Sequence, residues 1–353
     1  MKKRQTGGDN ATLIEAGRDV TINNGLNSDQ MREVIEVISS QIPQYAAIAR
    51  EIVDSRLVDF QERIIERFVD RDTAATSAFA DPDFQYQLRI AQHAYARTDD
   101  GDLQKMLIDL IAKRSLHGER SRKCLTINLA IATIGDLTRE DLALISVCFA
   151  TKHASLSVAR STAEISLYFN KFVNPFLSLL PKDEGSSMYL ASKGCVTFVP
   201  FPQNLIGVFK EFYGGVFSNS WSEADLVNVL PDEQKENVES ILADAQSANL
   251  LNLDGEKFKF DIRYKPEIGT KIAGTSVSEL QPNLESLYDS HLKSDGEIKE
   301  LLENAIPQFS VLEGVWDKTS LSSLRLTYLG LAIGHSCLTE KVEFSGDLSI
   351  WIK

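Results

Sequence analysis

The sequence predicts a mainly α-helical protein: a short N-terminal β-ribbon, a long helix and helical bundle, then an α+β C-terminal region with winged-helix-like elements. Three observations predict it. Apolar residues recur at helical spacing over roughly forty residues from Met31 onward. Strand-like alternation is confined to a few short stretches. Between Pro175 and Pro202 prolines and glycines cluster beside the β-rich run Cys195-Val196-Thr197-Phe198-Val199, marking a change of character. These observations divide the chain into an oligomerisation ribbon (1–26), an all-helical domain (27–182) and an α+β domain (183–353). A chain of 353 residues is long enough for that many parts.

The ribbon comes first. Thr12–Ala16 and Asp19–Asn23 alternate like strands around Gly17-Arg18, the spacing of a two-residue turn. Ile14, Val20 and Ile22 can share one face. Two strands with so few apolar side chains bury too little to offset their ordering entropy, so that face needs a partner, and the neighbouring copies of the chain are the expected one. Three such ribbons could close into a prism, which favours a trimer.

Asn27 with Gln30 makes a capping box for the long helix. Its apolar positions run Met31, Val34, Ile35, Ile38, Ile42, Tyr45, Ile48, Ile52 and on to Phe68. Met31, Ile35 and Ile38 are expected to pack against their symmetry mates. Pro43 is expected to kink or divide the helix, with the heptad drifting after it.

Asp81-Pro82-Asp83 starts a further helix, and Asp99-Asp100-Gly101-Asp102 caps the next, whose buried stripe includes Leu103, Met106, Leu107, Leu110 and Ile111. Helices follow over 125–134 and 139–151, the second opened by Thr138 and Asp141. Beyond the boundary near 181–186, two helices and then a hairpin around Asp254-Gly255 follow the winged-helix order. Residues 284–306 read as helix, Thr327 caps a short final helix that Gly334 ends, and 348–352 alternate like a closing strand.

The net charge of −13 disfavours a protein that coats nucleic acid. No window approaches the ~18 apolar residues of a membrane span. Met1-Lys2-Lys3-Arg4 is followed by polar residues where a signal peptide turns apolar, and the four cysteines are isolated, so a reduced cytoplasmic setting is expected.

The chemistry-bearing motifs are few. There is no P-loop, no dinucleotide fingerprint and no HExxH, and the five histidines are scattered. His335-Ser336-Cys337 lacks a nucleophile elbow. No Glu closes a calcium loop around Asp99, Asp100 and Asp102. No catalytic residue, metal ligand or cofactor is therefore assigned. The most polarised segment, 113–123, holds Lys113, Arg114, Arg120, Arg122 and Lys123, a set that could grip phosphate. The winged-helix-like region carries ten acidic residues between Trp221 and Asp261 against three lysines, which points to a protein partner rather than DNA.

The stretch Gly7-Gly8-Asp9-Asn10 with Ile14-Glu15-Ala16-Gly17-Arg18-Asp19-Val20-Thr21-Ile22 resembles a β leader at the head of many uncharacterised bacterial proteins, some associated with anti-phage defence. Residues 103–144, Leu326-Thr327 with Gly330 and Ile333-Gly334, and Leu348–Ile352 are similar to one such helical family. The resemblance implies a role in defence and carries no catalytic residues. The expected function is a non-enzymatic, homo-oligomeric sensor or scaffold whose other partner is a protein. One alternative is a nucleotide- or nucleic-acid-binding regulator using the basic loop. A second is a cryptic hydrolase or nuclease whose carboxylates meet only in the fold.

Overall fold

The structure is a computed structural model that describes residues 28–69, 73–118, 120–156 and 159–353. The expected ribbon, with Ile14, Val20 and Ile22, lies outside the described residues, as does the cap at Asn27. The chain divides into two units, Met1–Arg56 and Leu57–Lys353.

One helix, α1 (Ser28–Val69), carries residues of both units. Pro43 lies within it and does not divide it. Residues 31–55 are exposed all round the helix, so the carbonyl that the missing proline N–H leaves free can be met by water. In its last turns α1 changes character and buries Phe60, Ile64 and Phe68, one residue in four.

The helices that follow begin where short polar side chains can hold their free N–H groups. They are α2 (Pro82–Arg97), α3 (Gly101–Ser115), α4 (Arg122–Ile134) and α5 (Arg139–Lys152). Asp81 accepts from the Asp83 N–H, Asp100 from Asp102 and Leu103, and Ser121 from Cys124. Thr138 and Asp141 form the expected reciprocal box at the head of α5. Then come α6 (Thr162–Phe172), α7 (Asn174–Leu177), α8 (Gly185–Ser192), β1 (Val196–Phe198) and α9 (Leu205–Tyr213).

A winged-helix-like arrangement occupies the next segment: α10 (Glu223–Val229), α11 (Val238–Ser247), then the hairpin β2 (Leu251–Asp254) and β3 (Lys257–Phe260). Leu251 lies opposite Phe260 and Asp254 opposite Lys257. Gly255 supplies the positive φ of 66° that the two-residue turn requires. Trp221 bridges to Phe258, adding a third short element to this small sheet. With α12 (Glu267–Ile272) and α13 (Gln281–Ser290) this segment builds a core of its own around Trp221, Leu226, Ile241, Phe260 and Leu284.

The chain then returns to the larger core through α14 (Asp295–Ala305), α15 (Phe309–Trp316), β4 (Leu324–Leu326) and α16 (Tyr328–Val342). β4 pairs antiparallel with β1, Val196 opposite Leu326. That core runs from Phe60 to Ile352 and draws on residues on both sides of position 183.

Three local expectations are corrected. The helical stretch 284–306 is interrupted at 291–294, because Ser294 and Glu297 form a new capping box there. Gly334 does not end the last helix. It lies in the middle of α16, where a hydrogen in place of a side chain lets the helix approach Ile145 and Phe149 of α5. The chain end is a 3-10 turn, Leu348–Ile350, rather than a strand: Asp347 accepts from the Ser349 N–H, and the Trp351 indole donates to the His153 carbonyl at 2.6 Å.

Candidate functional site

Within the second unit, α3 and α16 pack together and carry a set of charged side chains into the core. Asp109 stands in the otherwise apolar run Met106–Ile111 and is fully buried. One turn on, the Lys113 ammonium lies 2.5 Å from its Oδ2. The Ser336 hydroxyl donates to the same oxygen at 2.6 Å, and Arg67 Nη2 meets Oδ1 at 3.0 Å. Arg67 also reaches Glu340 Oε1 at 2.9 Å, so two cations and two carboxylates form one connected group.

Burial would push the Asp109 carboxyl up, but the adjacent Lys113 ammonium, Ser336 and Arg67 outweigh it and hold the group below the usual carboxylate range. Glu340 shifts the other way, raised first by burial and then by the neighbouring Asp109 charge.

His335 extends this group toward the surface. The Gly346 carbonyl can only accept, so the 2.6 Å contact to Nε2 places the ring proton there. Nδ1 is left to accept from Lys113 at 2.9 Å. The imidazole is therefore held neutral, its pKa pushed down to about 4 by burial and then by the Lys113 charge.

Two cavities open beside the group. One, of about 400 Å³, has an apolar floor that includes Met106, Leu142 and Phe176, and its rim carries the ion pairs Asp100–Arg139 at 2.5 Å and Asp102–Lys341 at 3.1 Å. The other, of about 350 Å³, is lined by Lys113, His117, Lys123, His335 and Asp347. Burial, then Lys123, lowers the His117 pKa, and Lys123 makes a long contact to Asp347, 3.4 Å.

The structure separates the five basic residues singled out in the sequence. Lys113 and Lys123 share the second cavity. Arg114 is 1% exposed and committed elsewhere: it bonds Asp81, Asp83, Asn128 Oδ1 and the His117 carbonyl. Arg122 lies over the Tyr328 ring at 5.9 Å, and Arg120 is exposed. Among the described residues no group of three His, Cys, Asp or Glu side chains is placed to hold a metal ion. Sequence reasoning missed Arg67, Asp109 and Glu340, and it named Ser336 only within a motif that it set aside. Asp109 did leave a signal, a lone carboxylate inside an apolar stripe.

The expected interface residues of α1 belong to the first unit. Met31, Ile35 and Ile38 are 46%, 54% and 51% exposed.

A family model spans residues 25–352, from α1 to the last turn. The chain belongs to that family. Its description, “:-like”, assigns no activity, and the match starts after the N-terminal leader. No curated protein and no solved structure matches the chain. Among the described residues no helix is long and apolar enough to cross a membrane.

Proposed function

We propose that the chain is a non-enzymatic, homo-oligomeric sensor or scaffold of a bacterial cytoplasm that acts in defence against phage. One observation carries the reading: α1 exposes a continuous apolar face, with Met31, Ile35, Ile38, Ile42, Tyr45 and Ile52 each at least 45% open to water. A face of that size on a water-exposed helix is stable only when covered. The defence role rests on the resemblance of the leader and of the helical segments. Two measurements test the proposal. The full chain should scatter light as a multiple of its 39.3 kDa mass. Expressed in a susceptible host, it should lower phage plating efficiency, and a variant with Ile35→Asp and Ile42→Asp should lose that effect. A single-chain mass at all concentrations ends the assembly reading. Protection that survives in the monomeric variant ends its link to function.

A second reading is favoured by a separate observation. Lys113 and Lys123 come from different elements to one cavity beside His117, which suits a small phosphate-bearing ligand as the sensed signal. Titration with inorganic phosphate and a short oligonucleotide at low salt should show binding that Lys123→Glu removes. No binding by the wild-type chain ends this reading.

A further inference from the structure

Along the unbroken α1 the residues Met31, Ile35, Ile38, Ile42, Tyr45, Ala49 and Ile52 are spaced alternately four and three apart. Pro43 does not disturb the phase, and the drift expected from the sequence sets in only at Arg56. The pattern is a heptad seam with Ile35, Ile42 and Ala49 at a, and Met31, Ile38, Tyr45 and Ile52 at d. Pro43 falls at b, on the outside. Glu33, Glu36, Arg50, Glu51 and Asp54 occupy b, c and f, and the flanking e and g positions hold one charge, Arg32. The next a and d residues are Arg56 and Asp59, so the seam stops there. Phe60, the following apolar residue, is buried in the chain's own core.

We infer that residues 31–52 form a parallel, in-register coil of three copies of this chain. The inference rests on the assembly reading above and gives it a seam, a direction and a number. The occupant is the same chain: e and g carry a single charge, Arg32, so identical copies meet with almost no like-charge repulsion, and nothing there selects a different helix. Isoleucine at both a and d disfavours two strands and favours three or four. A fourth strand would bury e and g further; Val34, Ala46, Ile48 and Val53 there would tolerate that, but Arg32, Ser39, Gln41 and Ser55, the polar half of these positions, oppose it. Three identical helices related by a closed three-fold axis are necessarily parallel. Like layers then stack on like: Ile38 on Ile38, Tyr45 on Tyr45, Ala49 on Ala49.

Light scattering on the full chain should give three times 39.3 kDa. A variant with Ile38→Asp and Ile42→Asp should run as a single chain. Ile38→Cys should cross-link between copies under mild oxidation, and the four native cysteines, all buried, add no background. These positions are exposed in the single chain, so the substitutions leave its core intact. A wild-type mass of two or four chains overturns the three-stranded coil. A trimer that survives Ile38→Asp and Ile42→Asp overturns the seam and leaves assembly standing. An oligomeric Ile38→Cys chain that does not cross-link overturns the parallel register. A wild-type chain that is always single overturns both this inference and the assembly reading.

Discussion

Lowering the pH from 7 to 5 should weaken the fold, and His335 should account for about half of the loss carried by buried imidazoles. The residue is 3% exposed and its pKa is pushed down to about 4, so it stays neutral in the folded chain over that whole interval. In the unfolded chain it takes up a proton near pH 6.5. Between 4 and 6.5 the unfolded state thus binds more protons, and stability rises with pH and falls on acidification. The full difference is roughly 3 kcal/mol once the pH is below both values, and about 2 kcal/mol of it is lost between pH 7 and 5. His153 is pushed to about 4 in the same way, by burial and then by Arg325, so the wild-type loss contains both rings. Urea unfolding followed by tryptophan fluorescence at pH 7, 6 and 5 measures the slope. His335→Gln keeps a side-chain N–H for the Gly346 carbonyl and removes the titration, so its loss over the same interval should be about 2 kcal/mol smaller. The slope decides, not the absolute stability of the variant. An identical acid loss in wild type and His335→Gln would refute the assignment of a neutral, buried imidazole.

Two further substitutions probe the same region. Asp109→Asn removes the only fully buried carboxylate of the group and leaves Lys113 and Arg67 without its charge, so it should cost about 3–5 kcal/mol in urea unfolding, with part recovered when Lys113→Met is added. Gly330→Ala places a methyl group against the Cys195 carbonyl oxygen at the start of α16 and should lower stability by about 1–3 kcal/mol, read as a fall in Tm.

The helical architecture was legible because its signals are local. Asp81, Asp100, Thr138 and Thr327 are short polar residues placed just before apolar runs, and each one caps its helix. The winged-helix order was legible for a similar reason, since the hairpin announces itself by Gly255 and alternating β3. The candidate site was not, because it is assembled by long-range packing. Asp109 meets Ser336 and Arg67 across 227 and 42 residues of sequence, distances over which no spacing rule operates. The basic segment misled by its density. Five charges in eleven residues read as one patch, but helix geometry sends Arg114 inward to Asp81 and Asp83 and leaves only Lys113 and Lys123 on a common cavity. Gly334 misled in the opposite sense, because a glycine that ends a helix and one that admits a neighbouring helix are the same letter.

The exposed part of α1 yields the last prediction, that its helicity depends on assembly. Residues 31–55 include Val34, Ile35, Val37, Ile38, Ile42, Ile48, Ile52 and Val53, all β-branched, each costing a few tenths of a kcal/mol against alanine in a helix. Together with Pro43, worth about 3 kcal/mol, the cost reaches roughly 6–8 kcal/mol before any nucleation cost. Covering the six large seam residues, each about half exposed already, returns about 0.8–1.5 kcal/mol apiece, or roughly 5–9 kcal/mol in all. The two sums balance, so the segment should be helical when its seam is covered and should melt when it is not. Far-UV circular dichroism recorded on dilution, with the mass followed in parallel, should show the signal of about 25 residues disappear as the oligomer dissociates, while the near-UV signal of the core stays unchanged. Helicity that holds constant through dissociation would mean that this segment is stable alone, and the argument that its apolar face requires a partner would then fail.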